Sequence, residues 1–134
     1  MNKNLASFCG IYCGACPSYI RSSCLGCRSD NRTQKRKSKW SCLIRKCCQE
    51  EKNLDLCIEC EDYPCKNLEK LKNSHLKDEK YDYRHQIFYN LVRIKKNGLK
   101  DWLEEQSEIW LCSKCGGRII FYENKCTDCG EKTI

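Results

Sequence analysis

The chain has 134 residues, room for one ordinary domain or two small ones. Its hydrophobic class is 40% of the chain but includes 15 cysteines; without them it falls to roughly 29%, below the charged fraction of 32%, so hydrophobic packing alone is a weak source of stability. Formal charge is +7, which suggests an anionic partner, yet a zinc on four thiolates carries about −2, so three such sites would bring the chain to about +1.

No run of about 18 apolar residues is present, which argues against a membrane-spanning helix. The N-terminal MNKNLASFCGIYCGACPSYI has no uninterrupted apolar core, unlike a cleaved secretory signal. The expected location is therefore the cytoplasm, with no membrane partner. There disulfides do not persist, and closely spaced cysteines are read as metal ligands. The cysteine count is also odd, so they cannot all pair within the chain.

Eleven cysteines come first: Cys9, Cys13, Cys16, Cys24, Cys27, Cys42, Cys47, Cys48, Cys57, Cys60 and Cys65. Three pairs have C-x2-C spacing: Cys13/Cys16, Cys24/Cys27 and Cys57/Cys60. Such a pair fixes half a tetrahedron, so two pairs make a zinc site. Spacing alone does not divide the eleven. One partition places Cys13, Cys16, Cys24 and Cys27 on one ion and Cys42, Cys47, Cys57 and Cys60 on another. Cys65 can replace any member of the second set, and Cys9 and Cys48 are surplus or alternates. A third site would need a histidine, and His75 and His85 are the two available; a lone His in a charged helical segment is more often a surface residue.

The same residues admit an iron–sulfur cluster, since four thiolates suit it as well as zinc. Cys9-x3-Cys13-x2-Cys16 has the spacing of radical S-adenosylmethionine enzymes, but their barrel needs a large domain of alternating strands and helices, which this chain lacks.

A basic stretch overlaps this array. Arg28, Arg32, Lys35, Arg36, Lys37, Lys39, Arg45 and Lys46 lie within it, with Asp30 as its one acid and Trp40 inside it. Lys35, Arg36, Lys37, Lys39 and Trp40 are candidate nucleic-acid contacts, cations for phosphates and a ring for base stacking. The plainer reading is a solvated loop that offsets the thiolate charge.

Residues 66–111 contain no cysteine and read as helical. Leu68 and Leu71 follow Pro64 at helical spacing. Asp78 to Tyr83 reads as a loop. Ile87, Leu91 and Ile94 form an apolar stripe that Phe88 broadens. Asn97-Gly98 is a helix stop. Leu99, Trp102 and Leu103 mark a second short amphipathic helix. Tyr81, Tyr83, Phe88, Tyr89, Trp102 and Trp110 are expected to join the two cysteine blocks as a small core.

The final segment, WLCSKCGGRIIFYENKCTDCG, holds Cys112-x2-Cys115, ten intervening residues and Cys126-x2-Cys129. Each C-x2-C turn points two thiolates at one ion, and the following Gly116 and Gly130 permit the positive φ of such a knuckle. Residues 118–122 are β-prone and residues 123–125 suit a turn. Two knuckles facing across a hairpin give a closed four-sulfur site, structural rather than catalytic. Rubredoxin-type iron sites use similar knuckles.

CGIYCGACPSYI (Cys9–Ile20), CLGCR (Cys24–Arg28), CLIRKCCQEEKNLDLCIECEDYPCKNL (Cys42–Leu68) and GLKDWLEEQSEIWLCSKCGG (Gly98–Gly117) resemble the cysteine-rich bacterial and archaeal family called domain of unknown function 3795. The resemblance covers nearly the whole chain, including a terminal ribbon that many members carry. It implies a zinc-binding role and assigns no activity. Members often lack a thiol at the position of Cys48, consistent with its being surplus, and they vary where residues 32–39 lie.

The fold class expected is small, metal-stabilised α+β. A cysteine-rich knuckle region spans residues 1–68, a helical linker packs on it over 69–109, and a zinc-ribbon β-hairpin occupies 110–134. No phosphate loop, serine elbow or HExxH motif is present, so the chain is read as a non-enzymatic, zinc-binding adaptor of unknown protein partner. The alternatives are a nucleic-acid-binding zinc-ribbon protein and an iron–sulfur or metal-handling redox protein.

Overall fold

The computed structural model describes residues 3–29, 31–35 and 38–130. It combines short helices with a two-stranded antiparallel sheet. The helices are α1 (Pro17–Ile20), α2 (Leu43–Arg45), α3 (Lys66–Lys72), α4 (Asp82–His85), α5 (Ile87–Asn97) and α6 (Leu99–Ile109). The strands are β1 (Ile119–Ile120) and β2 (Lys125–Cys126). Short 3-10 turns occupy Lys3–Leu5, Cys13–Ala15, Ser38–Ser41, Cys57–Glu59 and Glu79–Tyr81.

The helical stripe does what its period requires. Ile87 and Leu91 are fully buried, and Ile94 is nearly so. Each such side chain contributes about 1.5–3 kcal/mol on leaving water. Gly98 adopts φ 93°, its N–H bonds the Ile94 carbonyl, and α6 begins at the next residue. From α6, Trp102 and Leu103 enter the same core. The cysteine-rich segment supplies the opposite wall with Ala6, Phe8, Tyr12, Ala15, Ile44 and Leu56. Tyr12 meets the Trp102 ring edge-on, with centroids 6.2 Å apart. One hydrophobic core thus spans the first cysteine block and the helices.

One close backbone approach and two hydrogen bonds fix this packing. Gly10 lies at φ 90°, where a Cβ would come within 3.0 Å of the Ile87 carbonyl oxygen and of Leu91 Cγ. The bare backbone can therefore lie against α5. Asn90, buried on α5, donates from Nδ2 to the Gly10 carbonyl at 2.9 Å. The Cys57 N–H donates to the Phe8 carbonyl at 2.9 Å and draws the third knuckle to the N-terminal loop.

Several elements differ from the sequence reading. Asp78 to Tyr83 is not a plain loop: Asp78 accepts from the Lys80 N–H and caps a 3-10 turn, which runs into α4. Asp and Asn favour such local caps, which helical periodicity does not report. The β-prone run 118–122 pairs only at Ile119 and Ile120. Phe121 leaves the ladder to donate its N–H to the Ala15 carbonyl at 2.9 Å, and Tyr122 and Asn124 take positive φ to close the turn. Tyr89 lies outside the aromatic core, exposed on α5.

Among the described residues no helix is long and apolar enough to cross a membrane. None of the cysteines is in a disulfide.

Candidate metal centres

The C-terminal hairpin brings Cys112, Cys115, Cys126 and Cys129 together, with all four Sγ atoms within 4.8 Å of one another. Cys112 and Cys129 are 3.7 Å apart, and Cys115 and Cys126 are 3.5 Å apart. A tetrahedron of zinc–sulfur bonds near 2.3 Å has sulfur–sulfur edges of about 3.8 Å, so the quartet fits a single ion. Gly116 and Gly130 sit at φ 76° and 75°. They end the two knuckles, donating to the Cys112 and Cys126 carbonyls. Gly117 and Asp128 point their N–H groups at Cys115 and Cys126 Sγ, both at 3.4 Å. These donors offset thiolate charge and orient the ligands.

A Cβ on Gly117 would lie 2.8 Å from Cys126 Sγ, so this position is held open for sulfur. The N–H groups of Cys115 and Lys114 hold the Cys112 thiol down to about 7. Cys115 receives the Gly117 N–H but is pushed up to about 12 by its hydrogen-bonded neighbours Cys126 and Cys129. Four adjacent sulfurs cannot all be anionic without a cation between them.

Ile119 packs with Cys112 and Cys126 in a small core of its own, against Trp110. Trp110 then meets Phe121 edge-on at 4.8 Å, and Phe121 stacks on Tyr83 at 4.4 Å. This aromatic chain joins the hairpin to the helices.

The eleven N-terminal thiols fall on two cavities. Cys9, Cys13, Cys16, Cys24, Cys27 and Cys42 line one of about 190 Å³, with Phe121 and Tyr122 of the hairpin on its wall. Cys47, Cys48, Cys57, Cys60 and Cys65 line the other, of about 350 Å³. Cys42 thus lines the cavity of Cys13, Cys16, Cys24 and Cys27, while Cys47, Cys57 and Cys60, which the spacing placed with it, line the other. Burial, then the neighbouring Cys27, pushes Cys9 up to about 12. Burial also raises Cys13, and Cys27, Cys16, Cys24 and Cys9 add to it. In the larger cavity, a hydrogen bond between Cys48 and Cys57 lowers the first and raises the second.

Local structure explains the grouping. Gln34, buried, accepts the Leu25 N–H at 2.7 Å and donates to the Ser29 carbonyl at 3.3 Å, bracing the Cys24/Cys27 knuckle. Residues Lys46–Glu51 form a π-helix that continues α2, with the Lys52 N–H bonded to the Cys47 carbonyl at 3.0 Å. This widened turn keeps the adjacent Cys47 and Cys48 on one cavity wall. Lys52 Nζ lies 2.9 Å from Cys60 Sγ, and the Asp62 N–H lies 3.4 Å from it. The π-turn and Lys52 were missed from sequence. A lysine beside the cysteines was the signal for Lys52; the π-turn had none.

The histidines are held by protein groups. His85 Nε2 is 2.9 Å from the Ser74 carbonyl oxygen, and His75 stacks on Tyr81 at 4.2 Å. In the basic stretch, Lys35 is exposed. The Arg32 and Arg45 guanidinium groups lie over the Trp40 ring, at 3.9 and 5.0 Å from its centroid. Arg36, Lys37 and the Lys39 side chain lie outside the described residues.

Residues 5–70 match the family model described as Protein of unknown function (DUF3795). No curated protein and no solved structure matches the chain.

Proposed function

For a chain whose residues 5–70 belong to the DUF3795 family, we propose the role of a small zinc-stabilised binding protein that acts as an adaptor without catalysis. The observation that carries this reading is the C-terminal sulfur quartet, drawn within 4.8 Å on two N–H-braced knuckles. Zinc fits it because zinc takes four thiolates tetrahedrally, and protein fills every position, leaving none for substrate. A structural zinc contributes on the order of 10 kcal/mol to folding, which suits a chain with little apolar surface.

The test is metal analysis of the purified chain with circular dichroism during chelation. Bound zinc, and loss of structure on its removal, support the reading. A metal-free chain with unchanged circular dichroism and hydrogen exchange would overturn it.

Nucleic-acid binding is the weaker reading, because the ring offered for base stacking already carries two guanidinium groups. Oligonucleotide binding at low salt, reduced by charge reversal at Lys35, Arg36 and Lys37, would promote it.

A further inference from the structure

The hairpin provides an internal standard for how this chain arranges sulfur around one ion. Its four Sγ atoms all lie within 4.8 Å. Among the described residues, no three sulfurs of the larger N-terminal cavity come that close to one another. Yet five of them share its wall, around a space of about 350 Å³. A single zinc demands sulfur contacts of about 3.8 Å. A cubane iron–sulfur cluster spreads its thiolates more widely, because each binds a different iron atom and the inorganic core lies between them.

We propose that this cavity seats a cubane iron–sulfur cluster on Cys47, Cys57, Cys60 and Cys65. The fifth sulfur has other work. Cys48 is buried, and its thiol donates to the Leu54 carbonyl at 3.4 Å, which anchors the π-turn. Lys52 and the Asp62 N–H both donate to Cys60 Sγ. Such donors stabilise a coordinated thiolate and tune the cluster's reduction potential. Glu51, Asp62 and Lys66 lie at the mouth, so the cluster would sit near a charged surface. The proposal concerns a second centre and stands apart from zinc in the hairpin.

The test is anaerobic purification of the full chain, then reconstitution with ferrous iron and sulfide. Expected is a brown protein with roughly four iron and four acid-labile sulfide per chain. A Cys57→Ser/Cys60→Ser variant loses the colour, while Cys112→Ser/Cys115→Ser keeps it and loses hairpin zinc. Because the first variant removes the buried Cys57 thiol, Lys52→Ala provides a second readout: it folds, keeps the cluster and shifts its potential to more negative values. A protein that stays colourless, a cluster retained without Cys57 and Cys60, or a potential unmoved by Lys52→Ala would each overturn the assignment. Zinc bound at the hairpin in a colourless chain would leave the proposed function standing while removing this cluster.

Discussion

The two cysteine regions solve the same shortage of apolar surface differently. The hairpin has two-residue strands, a core of Cys112, Ile119 and Cys126, and a contracted sulfur quartet. Two strands of that length are not stable alone in water, so the hairpin's order must come from the Phe121 contacts with the larger core and, on the zinc reading, from an ion held by the quartet. The N-terminal block is braced from outside, because Ala6, Phe8, Tyr12 and Ala15 share a core with Leu91 and Trp102. Its sulfurs stay spread over two cavities. The contrast predicts that dependence on metal follows the share of conventional core around each sulfur rather than cysteine density.

The largest effect should follow from breaking the hairpin quartet. Cys126 is 1% exposed and contributes both to the sulfur set and to the hairpin core. On the zinc reading, Cys126→Ser is expected to abolish metal binding at the hairpin and remove on the order of 10 kcal/mol of local stabilisation. Hydrogen exchange should then show residues 110–130 unprotected and α5 still protected. Simultaneous loss of protection in α5 would mean that Phe121, which sits in the larger core, makes the two regions one cooperative unit.

The converse experiment removes conventional core and leaves sulfur alone. Trp102 is 2% exposed on α6. Trp102→Ala should cost about 3–5 kcal/mol by transfer and cavity terms. Denaturant unfolding of the helical body should shift by that amount while hairpin zinc content holds.

These two sites also mark where sequence was informative. The quartet was readable because C-x2-C followed by Gly is a local motif: spacing alone sets the backbone turn, and Gly116 and Gly130 took the positive φ it needs. Ile87, Leu91 and Ile94 were readable because helical period is local too. The grouping of Cys42 was not. It depends on which cavity the residue before α2 faces, a tertiary fact that residue spacing does not encode. The π-turn at Lys46–Glu51 was invisible for a related reason, since nothing in KCCQEE distinguishes it from an ordinary helix. Trp40 was offered as a stacking platform because a basic run with an aromatic suggests nucleic acid; arginines from the same run cover its ring instead.

A smaller effect tests how the N-terminal block is fastened to the helices. The Asn90 amide is 6% exposed and donates to the Gly10 carbonyl. Asn90→Ala leaves that carbonyl without its donor in a buried site, at a cost of about 1–3 kcal/mol. Thermal unfolding should report the loss, again with hairpin zinc unaffected.

The smallest effect lies at the surface. Lys3 Nζ is 2.8 Å from Asp55 Oδ1, and Arg28 Nη1 is 3.8 Å from the same oxygen. The Lys3 hydrogen bond holds the Asp55 carboxyl below its ordinary range. A carboxyl lowered in the folded state stabilises the fold above its unfolded value and loses that contribution as pH falls through the folded value. The loss therefore belongs to strongly acid pH and should be absent at neutrality. Asp55 is 63% exposed on its side chain, so water screens the pair. Asp55→Asn should cost less than about 1 kcal/mol and should flatten the acid limb of the stability profile. A cost several times larger would mean that Arg28, whose side chain is only 9% exposed, depends on Asp55 for its charge balance. The N-terminal block would then share the hairpin's reliance on a few charged contacts.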